Sequence, residues 1–166
     1  MKGISIRPGL SEDAASIHRI HAHAVETGTA SFSLEPPSPA EIAARVDRLL
    51  EQKLPFRVAD NNGEVVGYAF ADWFRPRPGY RFTLEDSIYV DASVQGRGVG
   101  RALLSAVVED ARAGGFKQII AVIGDIGNTG SIAVHKSCGF LYAGVLKNVG
   151  FKFDRWLDTI YMQREL

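Results

Sequence analysis

The sequence predicts an α+β protein built on a mixed sheet, and three observations predict it. Periodic segments run in the order βααβββαβαββ, a hairpin signal joins two early strands, and a short apolar run of strand character follows an amphipathic helix. That order fits neither a doubly wound sheet nor a barrel. Ile4-Ser5-Ile6 alternates as a short strand. Ser11, followed by Glu12 and Asp13, reads as a hydroxyl cap with acids beside the positive end of a helix dipole. Ala14, Ile17, His18, His21 and Val25 share one face of that helix. After Pro36-Pro37-Ser38-Pro39, residues 40–52 form a second helix with Ile42, Val46 and Leu49 or Leu50 inside. Strands at 56–59 and 65–73 flank Asp60-Asn61-Asn62-Gly63, where Asn-Gly tolerates the positive φ of a tight turn.

Arg75-Pro76-Arg77-Pro78-Gly79 reads as a loop within the domain, and residues 80–90 as a strand. A glycine cluster then leads into a helix carrying Leu103, Leu104, Val107, Val108 and Ala111, stopped by Gly114-Gly115. Residues 118–123 form a buried strand, 131–137 a short helix, and 140–149 and 157–164 the closing strands.

The 166 residues suit one compact domain, 1–166, which buries roughly 70% of its unfolded surface and needs no disulfide or metal staple. A hydrophobic fraction of 46% excludes disorder and collagen-like repeats. Nineteen basic residues balance nineteen acidic ones, so no global field favours nucleic acid or an anionic membrane. A single cysteine, Cys138, excludes an internal disulfide and fits a reducing compartment. Met1-Lys2-Gly3-Ile4-Ser5-Ile6-Arg7 holds no apolar run of signal length, and no stretch approaches the ~20 apolar residues of a membrane span. The expectation is a cytoplasmic protein.

Gln95-Gly96-Arg97-Gly98-Val99-Gly100-Arg101 lies between a strand and an amphipathic helix. Glycines there let backbone N–H groups converge, the helix start adds positive potential, and Arg97 and Arg101 supply charge-assisted bonds to an oxyanion. Close packing also uses such turns. The turn ends Gly100-Arg101-Ala102 rather than in the Gly-Lys-Ser/Thr of a nucleotide P-loop. It also comes too late in the chain for a dinucleotide fingerprint, and the next strand ends Ile123-Gly124 without the acid that such a site requires, although Asp125 is near.

Gln-x-x-Gly-x-Gly after a strand, then Asn128 and Ser131 leading into a short helix that ends at Gly139-Phe140, resembles the GNAT N-acetyltransferase superfamily. The resemblance implies a mostly antiparallel twisted sheet with flanking helices and a splayed central pair of strands. It implies that the turn holds the pyrophosphate of acetyl-CoA, that Ile88-Tyr89-Val90 pairs with the pantetheine arm, and that Asn128 bonds it. Over nearly the whole chain the sequence is similar to the phosphinothricin and methionine sulfoximine acetyltransferase branch. The segments that carry this likeness are Thr29-Ala30-Ser31-Phe32 with Glu35-Pro36, Thr83 through Val90, Ala121-Val122-Ile123-Gly124, His135, and Gly150-Phe151-Lys152 with Trp156.

Acetylating an amine needs a neutral nucleophile, a polarised thioester and a proton for the leaving thiolate. Glu85, among Phe82, Leu84, Ile88 and Tyr89, is the expected general base, its pKa raised by partial burial. The branch resemblance puts the catalytic carboxylate there. An ordinary surface glutamate is the blander alternative. Asp86 points to the opposite face of a regular strand and is the weaker candidate, unless a bulge disturbs the alternation. His135 stands where many relatives carry a tyrosine, so the resemblance makes it an acid for the thiolate or an orienting group; a packing histidine is the alternative. Backbone N–H groups near Ile88 are the expected oxyanion donors.

Arg75 and Arg77 precede Glu85 by ten and eight residues in a proline-stiffened loop suited to carboxylate or phosphinate, and the resemblance adds Tyr80 beside them. Phe32 and Trp156 belong to segments that the resemblance brings near the acceptor, with core packing preferred for Trp156. Lys147, Asn148 and Lys152 are candidates to reach a neighbouring subunit's site in a homodimer. His18, His21 and His23 lack the acidic companion of a metal site, and Cys138 reads as packing. The expected function is direct acetyl-CoA-dependent N-acetylation of a small amino-acid-like acceptor, with no metal, no nucleic acid and no membrane partner. Acetylation of other amines or peptide amino groups, and a non-catalytic acyl-CoA-binding module, are the alternatives.

Overall fold

Residues 3–166 are described in the computed structural model; Met1 and Lys2, where the N-terminal reading begins, lie outside the described residues. Over them the chain forms β1 (Ile4–Pro8), α1 (Ala14–Thr27), α2 (Pro39–Glu51), β2 (Phe56–Asn61), β3 (Glu64–Trp73), β4 (Thr83–Val90), α3 (Val99–Ala113), β5 (Gln118–Gly124), α4 (Thr129–Ser137), β6 (Leu141–Lys152) and β7 (Arg155–Glu165). The element order is the one the sequence predicts. The strands form one sheet in the order β1-β2-β3-β4-β5-β7-β6, antiparallel throughout except where β4 pairs with β5.

Helices cover both faces. His21 of α1 meets Tyr68 on one face, whereas a Cβ on neighbouring Gly67 would lie 3.3 Å from Leu103 of α3 on the other. Leu103, Leu104, Val107 and Val108 of α3 are fully buried, each worth about 1.5–3 kcal/mol of transfer free energy. Between β2 and β3, Asn62 and Gly63 both take positive φ, 54° and 94°, as a two-residue hairpin turn requires.

The caps differ in one place from the sequence expectation. Ser38 caps α2 reciprocally: its N–H donates to Glu41 at 2.7 Å and its hydroxyl accepts from the Glu41 N–H at 3.3 Å, with Pro39 opening the helix. Ser11 does not cap α1. Residues Ser11–Asp13 form a 3-10 turn, and the Asp13 carboxylate accepts from the Leu10 N–H at 2.8 Å while Arg7 grips its other side. A charged carboxylate held by a guanidinium outcompetes a hydroxyl there, and Ser11 donates to Asp47 instead.

Two strand boundaries also move. Pro78–Tyr80 is a 3-10 turn, so β4 begins at Thr83 rather than at residue 80. The closing strands run on to meet at Phe153-Asp154, where both residues take positive φ without a glycine, a turn that composition does not announce. A register shift between Leu146 and Gly150 bends β6 on the way.

Candidate active site

The one parallel pairing creates the site. β4 and β5 pair from Thr83–Gln118 to Asp86–Ala121 and then stop, although β4 continues to Val90 and β5 to Gly124. Beyond Asp86, β4 keeps β3 on one edge only, so alternate backbone N–H and C=O groups of residues 87–90 face the gap. A cleft of about 590 Å³ occupies it, lined by Glu85 through Val90, Ala121 through Gly124, the glycine turn, and Asn128, Ser131, Val134 and His135.

At the mouth, Gly98 takes φ +81° and caps α3, a conformation costing a side-chain-bearing residue about 1–2 kcal/mol. The first bond of the helix ladder runs from Ala102 N to Gly98 O, which leaves the N–H groups of Val99, Gly100 and Arg101 without helical acceptors. Arg97 and Arg101 are exposed and form no ion pair among the described residues. Gln95 folds back, its side-chain nitrogen donating to Val90 O at 3.1 Å. Gln95, Gly96, Gly98, Val99, Gly100 and Arg101 line the cleft, and Arg97 stands outside it. Asn128 caps α4 with its side-chain oxygen, 3.2 Å from the Ser131 N–H, which leaves its NH₂ group for a ligand. Tyr89 contributes its strand edge; its ring is turned away, stacked on Tyr68 at 5.3 Å and edge-on to His21 at 4.7 Å. Free N–H donors, two unpaired cations and an open strand edge make a cradle that fits the pyrophosphate and amide-bearing arm of acetyl-CoA.

The β3–β4 ladder is continuous from Gly67–Val90 to Trp73–Leu84, so no bulge disturbs the alternation and Glu85 and Asp86 face opposite ways. Asp86 is buried, with Oδ2 2.9 Å from His135 Nε2, while its Oδ1 has no partner. His135, 2% exposed, donates from Nδ1 to Ser131 O at 2.7 Å, so both ring nitrogens are engaged by the protein. Burial opposes its charged form, but the Asp86 carboxylate and the Ser131 carbonyl outweigh that, and its pKa is raised. Phe140 packs edge-on to the ring at 5.0 Å.

Glu85 borders the cleft and also a second cavity of about 340 Å³, shared with Arg45, Arg48, Phe70, Asp72, Trp73 and Ser87. Burial first, then the neighbouring Asp86 and Asp72 charges, raise its pKa, with Arg75 opposing them. Arg75, Arg77 and Tyr80 line neither cavity. Their loop is exposed, with Arg75 4.9 Å over the Phe74 ring and Tyr80 edge-on to the same ring at 5.7 Å. The cations that do border the cavity, Arg45 and Arg48, come from α2 and were not singled out in the sequence. The signal was present, because position 45 falls on the inner stripe 42, 45, 46, 49.

Phe32 borders the cleft and packs where a side chain on Gly150 would collide with it, a Cβ there lying 2.2 Å from its ring. Two expectations are corrected. Trp156 is 62% exposed rather than in the core, because it lies on the solvent side of the β6–β7 hairpin end, edge-on to Phe151. Lys152 reaches no neighbour: it is 3% exposed, and its ammonium donates to the carbonyls of Val25, Gly28 and Ser31 at 2.7, 3.0 and 2.8 Å, tying the Phe32 loop to β6. Lys147 is paired with Asp158 at 2.7 Å. His18 bonds Pro37 O, His21 bonds the Tyr68 hydroxyl and His23 is exposed, so the three rings go separate ways. Cys138 is buried beside Ser105. No helix among the described residues is long and apolar enough to cross a membrane.

The chain is similar to known acetyltransferases in sequence and in fold. The chain is 49% identical over 162 residues to a phosphinothricin N-acetyltransferase of Alcaligenes faecalis, covering 98% of this chain and 82% of that protein. It is 42% identical to an L-methionine sulfoximine/L-methionine sulfone acetyltransferase of Pseudomonas paraeruginosa, covering 98% and 94% of the two chains. A phosphinothricin acetyltransferase from Sinorhizobium meliloti, solved in complex with acetyl-CoA, superposes with a TM-score of 0.95 at 44% identity, over 99% of this chain and 89% of that one. The profile of the acetyltransferase (GNAT) family matches residues 17–140, and with a parallel pair of strands opening over a glycine-capped helix, this chain belongs to that family.

Proposed function

We propose that the protein transfers the acetyl group of acetyl-CoA directly to the α-amino group of a small, strongly polar amino acid of the phosphinothricin or methionine sulfoximine type. The observation that carries this reading is Glu85: one half-buried carboxylate of raised pKa stands between the cleft that suits the donor and a side cavity of amino-acid size. When bound, acetyl-CoA supplies an acyl group already activated as a thioester. Glu85 takes the proton of the acceptor's ammonium, and the open N–H groups of β4 near Ile88 face the acyl carbonyl. Because His135 has both nitrogens engaged, its part is to hold Asp86 and a proton in place in the wall of the cleft rather than to reach the sulfur itself. Arg75, whose charge acts on Glu85, and with it Arg77 and Tyr80 of the same exposed loop are assigned the acceptor's outer polar group, and Phe32, which borders the cleft beside Glu85, is assigned its chain. Names of full-length relatives support the acceptor class.

The working unit is a homodimer. Edge strand β6 leaves Leu141, Tyr142, Leu146, Val149 and Phe151 exposed, a row of apolar residues that a second copy would cover. Light scattering at micromolar concentration checks this, with a monomeric mass counting against it.

The activity is tested by thiol release from acetyl-CoA with a panel of amino acids. Release is expected with phosphinothricin and methionine sulfone and none with their N-acetylated forms. Coenzyme A binding without release for every acceptor would instead favour a non-catalytic acyl-CoA-binding module.

A further inference from the structure

Arg45 is the unspent cation of the acceptor cavity. It stands on the inner stripe of α2 beside Ile42, Val46 and Leu49, all buried, and is itself only half-exposed. Holding a guanidinium there costs desolvation, which is ordinarily repaid by a carboxylate. Arg48, one turn on, has that partner in Asp72, bound through both guanidinium nitrogens. Among the described residues, Arg45 has neither an ion pair nor a hydrogen bond. The residue borders the cavity beside Phe70, Asp72 and Glu85, and its charge acts on Asp72, Tyr68 and Tyr89 of β3 and β4 as well as on His21 and the exposed Glu41.

The cavity has polarity to match. Arg45 supplies an unpaired positive charge, Glu85 and Ser87 supply an acceptor for an ammonium and a hydroxyl, and Phe70 and Trp73 supply apolar wall. An α-amino acid carries its nitrogen and its carboxylate on the same carbon, so a base for the one and a cation for the other must share a single small space. The cavity of about 340 Å³ next to Glu85 brings such a pair together.

We propose that Arg45 receives the α-carboxylate of the acceptor, and that this contact makes the enzyme select free α-amino acids over amines and over amino acids whose carboxylate is blocked. The assignment rests on the acetyl-transfer reading above. It gives the arginines of the exposed loop a different task, the outer polar group, and explains why a helix outside the glycine-turn motif carries an inward cation.

The test compares L-methionine sulfone with its methyl ester and with 3-(methylsulfonyl)propylamine, which lacks the carboxylate. The parent enzyme is expected to prefer the free acid by about tenfold or more in kcat/KM, the scale of one charge-assisted bidentate contact. Arg45→Gln should erase most of that preference by raising KM for the acid, with KM for acetyl-CoA and turnover of the amine within about twofold of the parent. Arg45→Lys, which keeps the charge but not the fork, should retain an intermediate preference and guards against a misfolded glutamine variant. An undiminished preference in either variant overturns the assignment, as does a parent enzyme indifferent to the carboxylate. Should no acceptor release thiol, the acetyl-transfer reading fails, and Arg45 is judged by calorimetry with methionine sulfone alone. Weaker binding to Arg45→Gln than to the parent then supports it; equal binding, or none to the parent, overturns it.

Discussion

The donor half and the acceptor half of the cleft are made from different materials. The donor half is backbone: a strand edge without a partner, a left-handed glycine and the first N–H groups of α3, contributed by residues 87–101 in one stretch. The proposed acceptor half is side chain: Arg45 from α2, Asp72 from β3 and Glu85 from β4 line its cavity, with Phe32 from a loop on the cleft side of Glu85, and only the fold brings them together. A backbone cradle binds what every member of a family shares, because it depends on conformation more than on residue identity. A side-chain cavity can be re-lined one substitution at a time, so the difference teaches where acceptor choice is written.

Glu85→Gln tests that division most severely. It should lower kcat by about 10²–10⁴-fold while KM for acetyl-CoA stays put, measured by steady-state thiol release. The raised pKa of Glu85 sets the sign of the pH dependence. Only the ionised carboxylate accepts a proton, so kcat/KM should fall as pH drops through a value above the ordinary glutamate range, and the Glu85→Gln variant should lack that limb. Comparable damage to acetyl-CoA binding would mean that the halves are not separable.

Next in size is the buried Asp86–His135 pair in the wall of the cleft. Asp86→Asn leaves His135 without its counter-charge, and breaking such a pair costs about 3–5 kcal/mol, or ~10 °C in Tm. Because the folded pKa of His135 is raised above its unfolded value, the pair's stabilisation is fully present below the unfolded pKa and is lost as pH rises through the folded one. Thermal melts of parent and Asp86→Asn should therefore converge at alkaline pH. A gap that is constant across pH would argue for simple packing.

Those two carboxylates also mark how far the sequence is legible. Element order, the hairpin at Asn62-Gly63 and the glycine turn all depend on local chemistry, and the fold matches them. Glu85 was legible because its strand leads into the turn. Asp86 and Arg45 were not, though each is a charge at a position that periodicity assigns to the interior: Leu84-Asp86-Ile88-Val90 on β4 and 42, 45, 46, 49 on α2. A pattern shows that such a residue points inward. It does not show what waits there, since His135 is 49 positions from Asp86 and Glu85 40 from Arg45. Lys152 and Trp156 exchange expected places for the same reason, their environments being fixed by the distant α1 end and by the free edge of β6.

The donor half should respond to conformation and little else. Gly98→Val forces a β-branched residue into φ +81°, costing about 1–2 kcal/mol and tilting the N–H groups at the start of α3. KM for acetyl-CoA should rise about tenfold with the acceptor KM unchanged. A similar rise in both would tie the turn to the acceptor site and break the contrast.

The smallest effect sharpens the acceptor half at its rim. Arg75 is exposed, yet its charge opposes the upward shift of Glu85. Removing Arg75 therefore takes away an influence that favoured the ionised base. In Arg75→Ala the acidic limb of kcat/KM should move to higher pH, and only slightly, because the charge removed is exposed and screened by solvent. Added salt should shrink the shift, and Arg77→Ala should leave the limb in place while raising KM only for acceptors with an anionic side chain. If Arg75→Ala moved KM for acetyl-CoA instead, the loop would belong to the donor side, and the line between the two halves would have to be drawn through the rim rather than along β4.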